Sequence, residues 1–332
     1  MILSCPHVPV SVRLEGVPPD LFERLTCQLL VTATGEEGGP LPHGPCVHLV
    51  EDQSLRPSSW RRRPFRVVRR ARGFEAQVGG GRLQLGPGTT VAVRIPPGLS
   101  REALRNTALP LLRAAVFRAF AEQGFSVLHA AAFEVAERGF LVVGESGTGK
   151  STLAMLALRA GGRVVSDDSV LMGPIVGGRP GVAAFRKDAV LRDAGERIIP
   201  PVLRGRLHRA LVDGIERPVL ARARAPEAFA STVVPQRLFI SRVDRRLRGS
   251  RCRRTTQADA LAALIAASSP LFLAPELGGL RARLLPVLAA TVGACAAYRV
   301  ALGRDVLADP DAVASHLFSR SPLAAVGRGN AA

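Results

Sequence analysis

Aromatic residues are scarce in this chain. They make up 5% of it, with one tryptophan and one tyrosine. Single-stranded nucleic acid is commonly held by stacking bases on exposed rings, and this composition offers few rings. Lysine is scarcer: of 45 basic residues only Lys150 and Lys187 are lysines. Cysteine is sparse and unpatterned. Cys5, Cys27, Cys46, Cys252 and Cys295 form no C-x-x-C pair and no Cys–His array at zinc spacing. That argues against a disulfide framework and a structural zinc site, and fits a reducing cytoplasm. Long apolar runs are missing as well. The longest, Leu284 to Tyr298, is too short to cross a bilayer and contains Pro286. Met1 to Val12 lacks a basic n-region and a long apolar stretch, so no secretory leader is expected.

Positive charge is abundant. The 332 residues carry a formal net charge of +18, which ordinarily points to nucleic acid or anionic lipid. Here the bias of arginine over lysine, with much Ala, Gly and Pro, looks like a high-GC coding background. Arginine then serves as the general solvent-facing cation, and nucleic acid is not the expected partner. Two clusters stand out: seven arginines between Arg61 and Arg72, and eight between Arg237 and Arg254 with one acid, Asp244. The first reads as an exposed edge strand or as a docking strip for an acidic partner. The second reads as a surface hairpin or as a site for an acidic substrate or nucleotide phosphates. With 47% hydrophobic and 22% charged residues, the chain can bury a substantial core.

Punctuation by Gly and Pro divides the chain. Residues 1–98 read as short strands and loops, with strand-like stretches at Ser11–Leu14, Gln28–Ala33 and Arg82–Leu85. A helix is expected from Ser100, its N-cap, to about Gly124. After it, strands are expected at Val127–Glu134, Gly139–Val143, Arg163–Ser166, Ala183–Leu191 and Arg237–Val243. Helices are expected at Lys150–Arg159, Thr256–Ala267, Gly278–Tyr298 and Asp311–Phe318. The expected organisation is a smaller β-rich domain over 1–98, a catalytic α/β domain over 99–320 and a loose tail over 321–332.

Gly144-Glu145-Ser146-Gly147-Thr148-Gly149-Lys150-Ser151 matches G-x-x-x-x-G-K-[ST] at every defined position, and Thr152 follows. The apolar stretch Phe140-Leu141-Val142-Val143 precedes it and an apolar-faced helix follows. Glycines let such a loop turn its N–H groups inward onto phosphate oxygens, and the helix presents its positive end to the anion. Lys150 can reach the β- and γ-phosphates, and the Ser151 hydroxyl can ligate Mg²⁺.

The loop by itself does not name a reaction. No N-K-x-D stretch for guanine recognition is present, and no L-S-G-G-Q stretch. An acidic pair arrives early instead: Val164-Val165-Ser166-Asp167-Asp168 places carboxylates 17 and 18 residues after Lys150. At a strand end beside a metal nucleotide, one carboxylate can hold Mg²⁺ while the other accepts a proton from an attacking hydroxyl.

The stretch Leu128-His129-Ala130, the loop Gly144 to Thr152 and Val164 to Asp168 together resemble the catalytic core of the HPr serine kinase/phosphorylase family. That family is related in fold to ATP-dependent phosphoenolpyruvate carboxykinases. The match is close over about 40 residues and loose over 125–310. It implies an α/β P-loop kinase core, a homo-oligomer, and transfer of the γ-phosphoryl of ATP to a seryl hydroxyl of a peptide or small protein. By position it implies Lys150 as the residue neutralising the transferred group and Ser151 as a Mg²⁺ ligand. Asp167 would be the general base, Asp168 a metal ligand, and His129 a histidine near the phosphates. The roles of the two aspartates are interchangeable at this level. The chain departs from the family in having His129-Ala130 where His-Gly is usual, and in lacking a Gly-rich segment after the core. It looks more like the divergent HPr-kinase-like proteins that accompany peptide natural-product clusters. Arg186 and Lys187 follow the acidic pair on an expected strand, as a phosphate or acceptor contact or as a solvated strand end. Two other readings use the same loop: a kinase for a small hydroxyl-bearing metabolite, and a nucleotide-binding regulator with little turnover.

Overall fold

The structure, a computed structural model, describes residues 2–4, 11–26, 32–34, 45–58, 66–70, 73–85, 90–176, 179–185, 188–212, 215–268 and 278–319. It is a mixed α/β protein that divides into two compact units. One comprises residues 1–127, 171–175 and 268–287, and the other residues 128–170, 176–267 and 288–332.

The first unit is built on an eight-stranded sheet. Its strands Ser11–Glu15, Cys46–Glu51 and Thr90–Ile95 run parallel as neighbours. Arg66–Arg70, Gly73–Val78 and Gly81–Leu85 add an antiparallel meander. Side chains alternate along these strands. Val12, Leu14, Val47, Leu83, Val91 and Val93 are buried, whereas Arg13, Glu15, Cys46, His48 and Arg94 are more open. A sheet covered on one side needs that alternation. The helix Arg101–Glu122 packs on this sheet. Ser100 caps it, its Oγ accepting the Ala103 N–H at 3.3 Å. The sequence grouping joins this helix to the catalytic domain, but its apolar residues, Leu111, Leu112 and Ala115 among them, find their cover in the first unit. A second helix, Pro19–Thr26, lies where only strands and loops are expected. Proline at its first position and buried Leu21 and Leu25, one turn apart, account for it.

The second unit centres on a six-stranded sheet. Its order is Arg163–Ser166, Ala130–Val135, Arg138–Val143, Pro235–Val243, Ala296–Leu302 and Arg251–Arg254. Phe140, Leu141, Val142 and Val143 are all fully buried, the unbroken apolar run of a strand covered on both faces. Phe133, Phe140, Phe239, Tyr298 and Phe318 form one cluster with the helix Lys150–Arg159. Their ring centroids lie 5.2 to 5.9 Å apart, the spacing of favourable aromatic pairs.

Three sequence expectations change here. The strand expected over Ala183–Leu191 is two strands, Arg179–Ala184 and Asp188–Val190, in different sheets. The helix expected over Gly278–Tyr298 stops at Ala294, and Ala296–Leu302 is a strand paired in parallel with Pro235–Val243. A short buried apolar run has no periodicity to tell helix from strand, and pairing decides it. The arginine cluster from Arg237 to Arg254 is not a hairpin either. Its two strands both pair with Ala296–Leu302, which lies between them. Arg237 is buried, its guanidinium over the rings of Phe140 and Tyr298 at 5.6 and 5.9 Å.

Candidate active site at one edge of the six-stranded sheet

Topology brings the sequence motifs together. Ala130–Val135 pairs antiparallel with both Arg138–Val143 and Arg163–Ser166. The two outer strands therefore run the same way and end at the same edge. Ala130 is opposite Val143 and Ala132 is opposite Ser166. The loop at Gly144, the pair Asp167–Asp168 and His129 consequently leave the sheet side by side. Pro235–Val243 runs parallel to the loop strand, with Ile240 beside Val143, so Ser241 reaches the same edge.

The loop is a tight cradle. Gly144 and Gly149 have φ of 152° and 96°, a region other residues rarely adopt. A Cβ on Gly144 would lie 2.6 Å from Thr148 Oγ1 and 2.8 Å from the Ser241 carbonyl, and one on Gly149 2.6 Å from Leu302 Cδ1. Thr148 donates from its hydroxyl to the Glu145 carbonyl at 2.8 Å, and Ser241 Oγ donates to Thr148 Oγ1 at 3.3 Å. Glu145, Ser146 and Gly147 form the exposed rim.

Lys150 opens the helix that follows. It is buried, and its Nζ donates to the carbonyls of Gly144 and Glu145, each at 2.8 Å. Burial lowers its pKa; the carboxylates of Asp168 and Asp167 act to raise it, and Arg192 to lower it. This helix has no side-chain cap at Gly149 and no acid in its first turn. A buried cation thus sits at the positive end of a helix with uncapped amides, an environment that an anion relieves.

The acidic pair lies beside the helix start. Ser151 Oγ donates to the Asp167 carbonyl at 3.3 Å. Asp167 is buried, while Asp168 is partly open. Ser169 Oγ donates to Asp168 Oδ2 at 2.8 Å, and His129 Nδ1 stands 3.6 Å from Asp168 Oδ1. The His129 side chain is 45% exposed, so it faces the edge and not the core. Its backbone N–H donates to the Ala267 carbonyl at 2.9 Å, at the break between Ser126–Leu128 and Ala130–Val135. The Ser151 hydroxyl and the carboxylates of Asp167 and Asp168 are all oxygen donors, the type that suits Mg²⁺. Arg186 and Lys187 lie outside the described residues.

Three contributors have no motif in the sequence. Ser241 fastens the loop from the neighbouring strand. Arg192 bears electrostatically on Lys150. Arg222 fixes the acidic strand: its guanidinium donates to the Val165 and Ala230 carbonyls at 3.0 and 3.1 Å and lies 4.6 Å from the centre of the Phe229 ring. The end of the apolar stretch Leu238-Phe239-Ile240 is the only sequence signal for Ser241. The other two depend on pairing and loop return.

No family model matches the chain, and no curated protein matches it. Solved structures do match. One is the Hpr(Ser) kinase/phosphatase from Coxiella burnetii, 11% identical, over 56% of this chain and 92% of that chain, with a TM-score of 0.27.

Proposed function

We propose that the protein is a Mg·ATP-dependent kinase that phosphorylates a serine of a peptide or small protein. One observation carries the reading: the glycine cradle with buried Lys150, the Ser151 hydroxyl and the Asp167–Asp168 pair converge at one sheet edge, with His129 between them. The loop residues Gly144 to Thr152 hold the nucleotide phosphates through their amides. Lys150 turns its ammonium to the transferred group and offsets the charge spread over its oxygens. Mg²⁺, held by Ser151 and Asp168, would draw further charge from those oxygens. Asp167 takes the proton of the seryl hydroxyl as its oxygen attacks the γ-phosphorus. A new O–P bond forms, the bridging P–O bond breaks and ADP leaves. His129 hydrogen-bonds the phosphoryl oxygens or the acceptor, and Arg186 and Lys187 serve as contacts to phosphate or acceptor.

The test is an acceptor screen. Protein, Mg²⁺ and γ-labelled ATP are incubated with serine-containing peptides encoded near this chain's gene and with small hydroxylated metabolites. Label on a peptide serine is the expected result. Label on a metabolite alone would replace the peptide by a small acceptor, and nucleotide binding without transfer to any acceptor would favour a regulator.

A further inference from the structure

The open face of the eight-stranded sheet carries a second constellation. Ser11–Glu15 and Cys46–Glu51 run parallel, with Arg13 opposite Cys46 and Glu15 opposite His48. Residues in register and two apart leave a sheet on the same side. The intervening Val12, Leu14 and Val47 are buried on the other side, so register alone fixes the grouping. His48 Nδ1 lies 2.9 Å from Glu15 Oε2. One donor atom from each of Glu15, Cys46 and His48 lies within 4.8 Å of the other two. Among the described residues no other His, Cys, Asp or Glu cluster of three meets that spacing.

We propose that Glu15, Cys46 and His48 form a zinc site with an open fourth position. A thiolate, an imidazole and a carboxylate are the three donor types zinc takes, and three protein ligands leave one position for water or a further ligand. Mg²⁺ and Ca²⁺ ask for oxygen throughout and are poorly served by sulfur and nitrogen. The charges also match, since a divalent ion cancels one thiolate and one carboxylate. The ligands stand on two hydrogen-bonded strands whose buried side is packed, so little ordering remains to be done on binding. Burial first, then the Glu15 carboxylate, holds the Cys46 thiol above its ordinary pKa, with Arg13 pulling the other way. Zinc takes the place of that proton, which passes to solvent, and the carboxylate changes from a like-charge neighbour to a fellow ligand. Arg13 Nη1 is 3.8 Å from Glu15 Oε1 on an exposed side chain, where it remains at the rim. A search for zinc spacing along the chain misses this set because Glu15 belongs to a different strand from Cys46 and His48.

The test is cobalt titration of the reduced, chelator-treated, untagged full chain. Cobalt reports a thiolate ligand by a charge-transfer band in the near ultraviolet. The expected result is one cobalt per chain with that band, displaced by zinc, and unchanged in Asp168→Asn. Cys46→Ser should abolish the band. His48→Gln and Glu15→Gln should each weaken zinc binding at least about tenfold while the unfolding midpoint of the metal-free chain holds. These two variants leave the packed side of the sheet intact, so they separate a lost ligand from a lost fold. Absence of the band in the wild type, its survival in Cys46→Ser, or wild-type zinc affinity in His48→Gln would each overturn the proposal.

Discussion

The two large sheets place polar chemistry in opposite ways. The six-stranded sheet is apolar along its strand Arg138–Val143: Phe140 to Val143 have no exposed surface, and a charge in their place would be costly. On its strands Ala130–Val135, Arg138–Val143 and Arg163–Ser166 the site residues stand at the strand ends, where Gly144, Asp167 and His129 emerge together. The eight-stranded sheet alternates buried and open positions. Its open face can therefore carry a polar cluster in mid-strand, and Glu15, Cys46 and His48 sit there. Where a site forms thus follows from how many faces the core covers. Open α/β sheets share this logic at their strand ends.

The largest effects are expected at the sheet end. Lys150→Ala should cost about 10² to 10³-fold in phosphoryl transfer, the usual loss for one charge-stabilising donor, with its unfolding midpoint held. Asp167→Asn should cost about 10² to 10⁴-fold. His48→Gln, on the other sheet's face, should leave transfer unchanged. Rates measured side by side check all three, and a fall in the His48 variant would join two sites that the account keeps apart.

Gly149→Ala should come next. The added methyl meets Leu302 at 2.6 Å on a backbone with φ of 96°, and a loss of roughly 1–3 kcal/mol is expected. Denaturant titration reads it. Ser241→Ala removes the hydroxyl that donates to Thr148 in the loop and should cost about 1 kcal/mol, read as a lower unfolding midpoint and weaker nucleotide binding.

The smallest effect is a titration. Burial lowers the Lys150 pKa, so the folded chain gives up this proton before the unfolded chain does. Stability from this group should rise with pH between the lowered value and the ordinary lysine value. The kcat/KM for ATP, which reports the nucleotide-free chain, should fall across the same window, because neutral Lys150 no longer offsets phosphate charge. Carbon-13 lysine labelling gives two side-chain signals, from Lys150 and Lys187. The signal that disappears in Lys150→Ala is expected to titrate below the ordinary lysine range.

Much of this was legible in the residues. Lys150–Arg159 and Arg163–Ser166 have the bounds that periodicity and punctuation give. The loop glycines announce the turn because only they tolerate its φ values. What was hidden is pairing. Ala296–Tyr298 looks like the end of a helix until Pro235–Val243 claims the strand Ala296–Leu302 as a neighbour. Ser241 is one more serine until register sets it beside Gly144. The Glu15, Cys46 and His48 cluster joins two strands that are separate in the chain, and no linear spacing encodes it.

The central claim is that the edge bearing Lys150 and Asp168 binds a magnesium nucleotide. Equilibrium binding of ATP to the purified chain, with and without Mg²⁺, tests it most directly when repeated on Lys150→Ala and Asp168→Asn. Binding should be strengthened by Mg²⁺, weakened in Lys150→Ala and stripped of its Mg²⁺ dependence in Asp168→Asn. No binding by the wild type, or equal binding by the Lys150 variant, would contradict it.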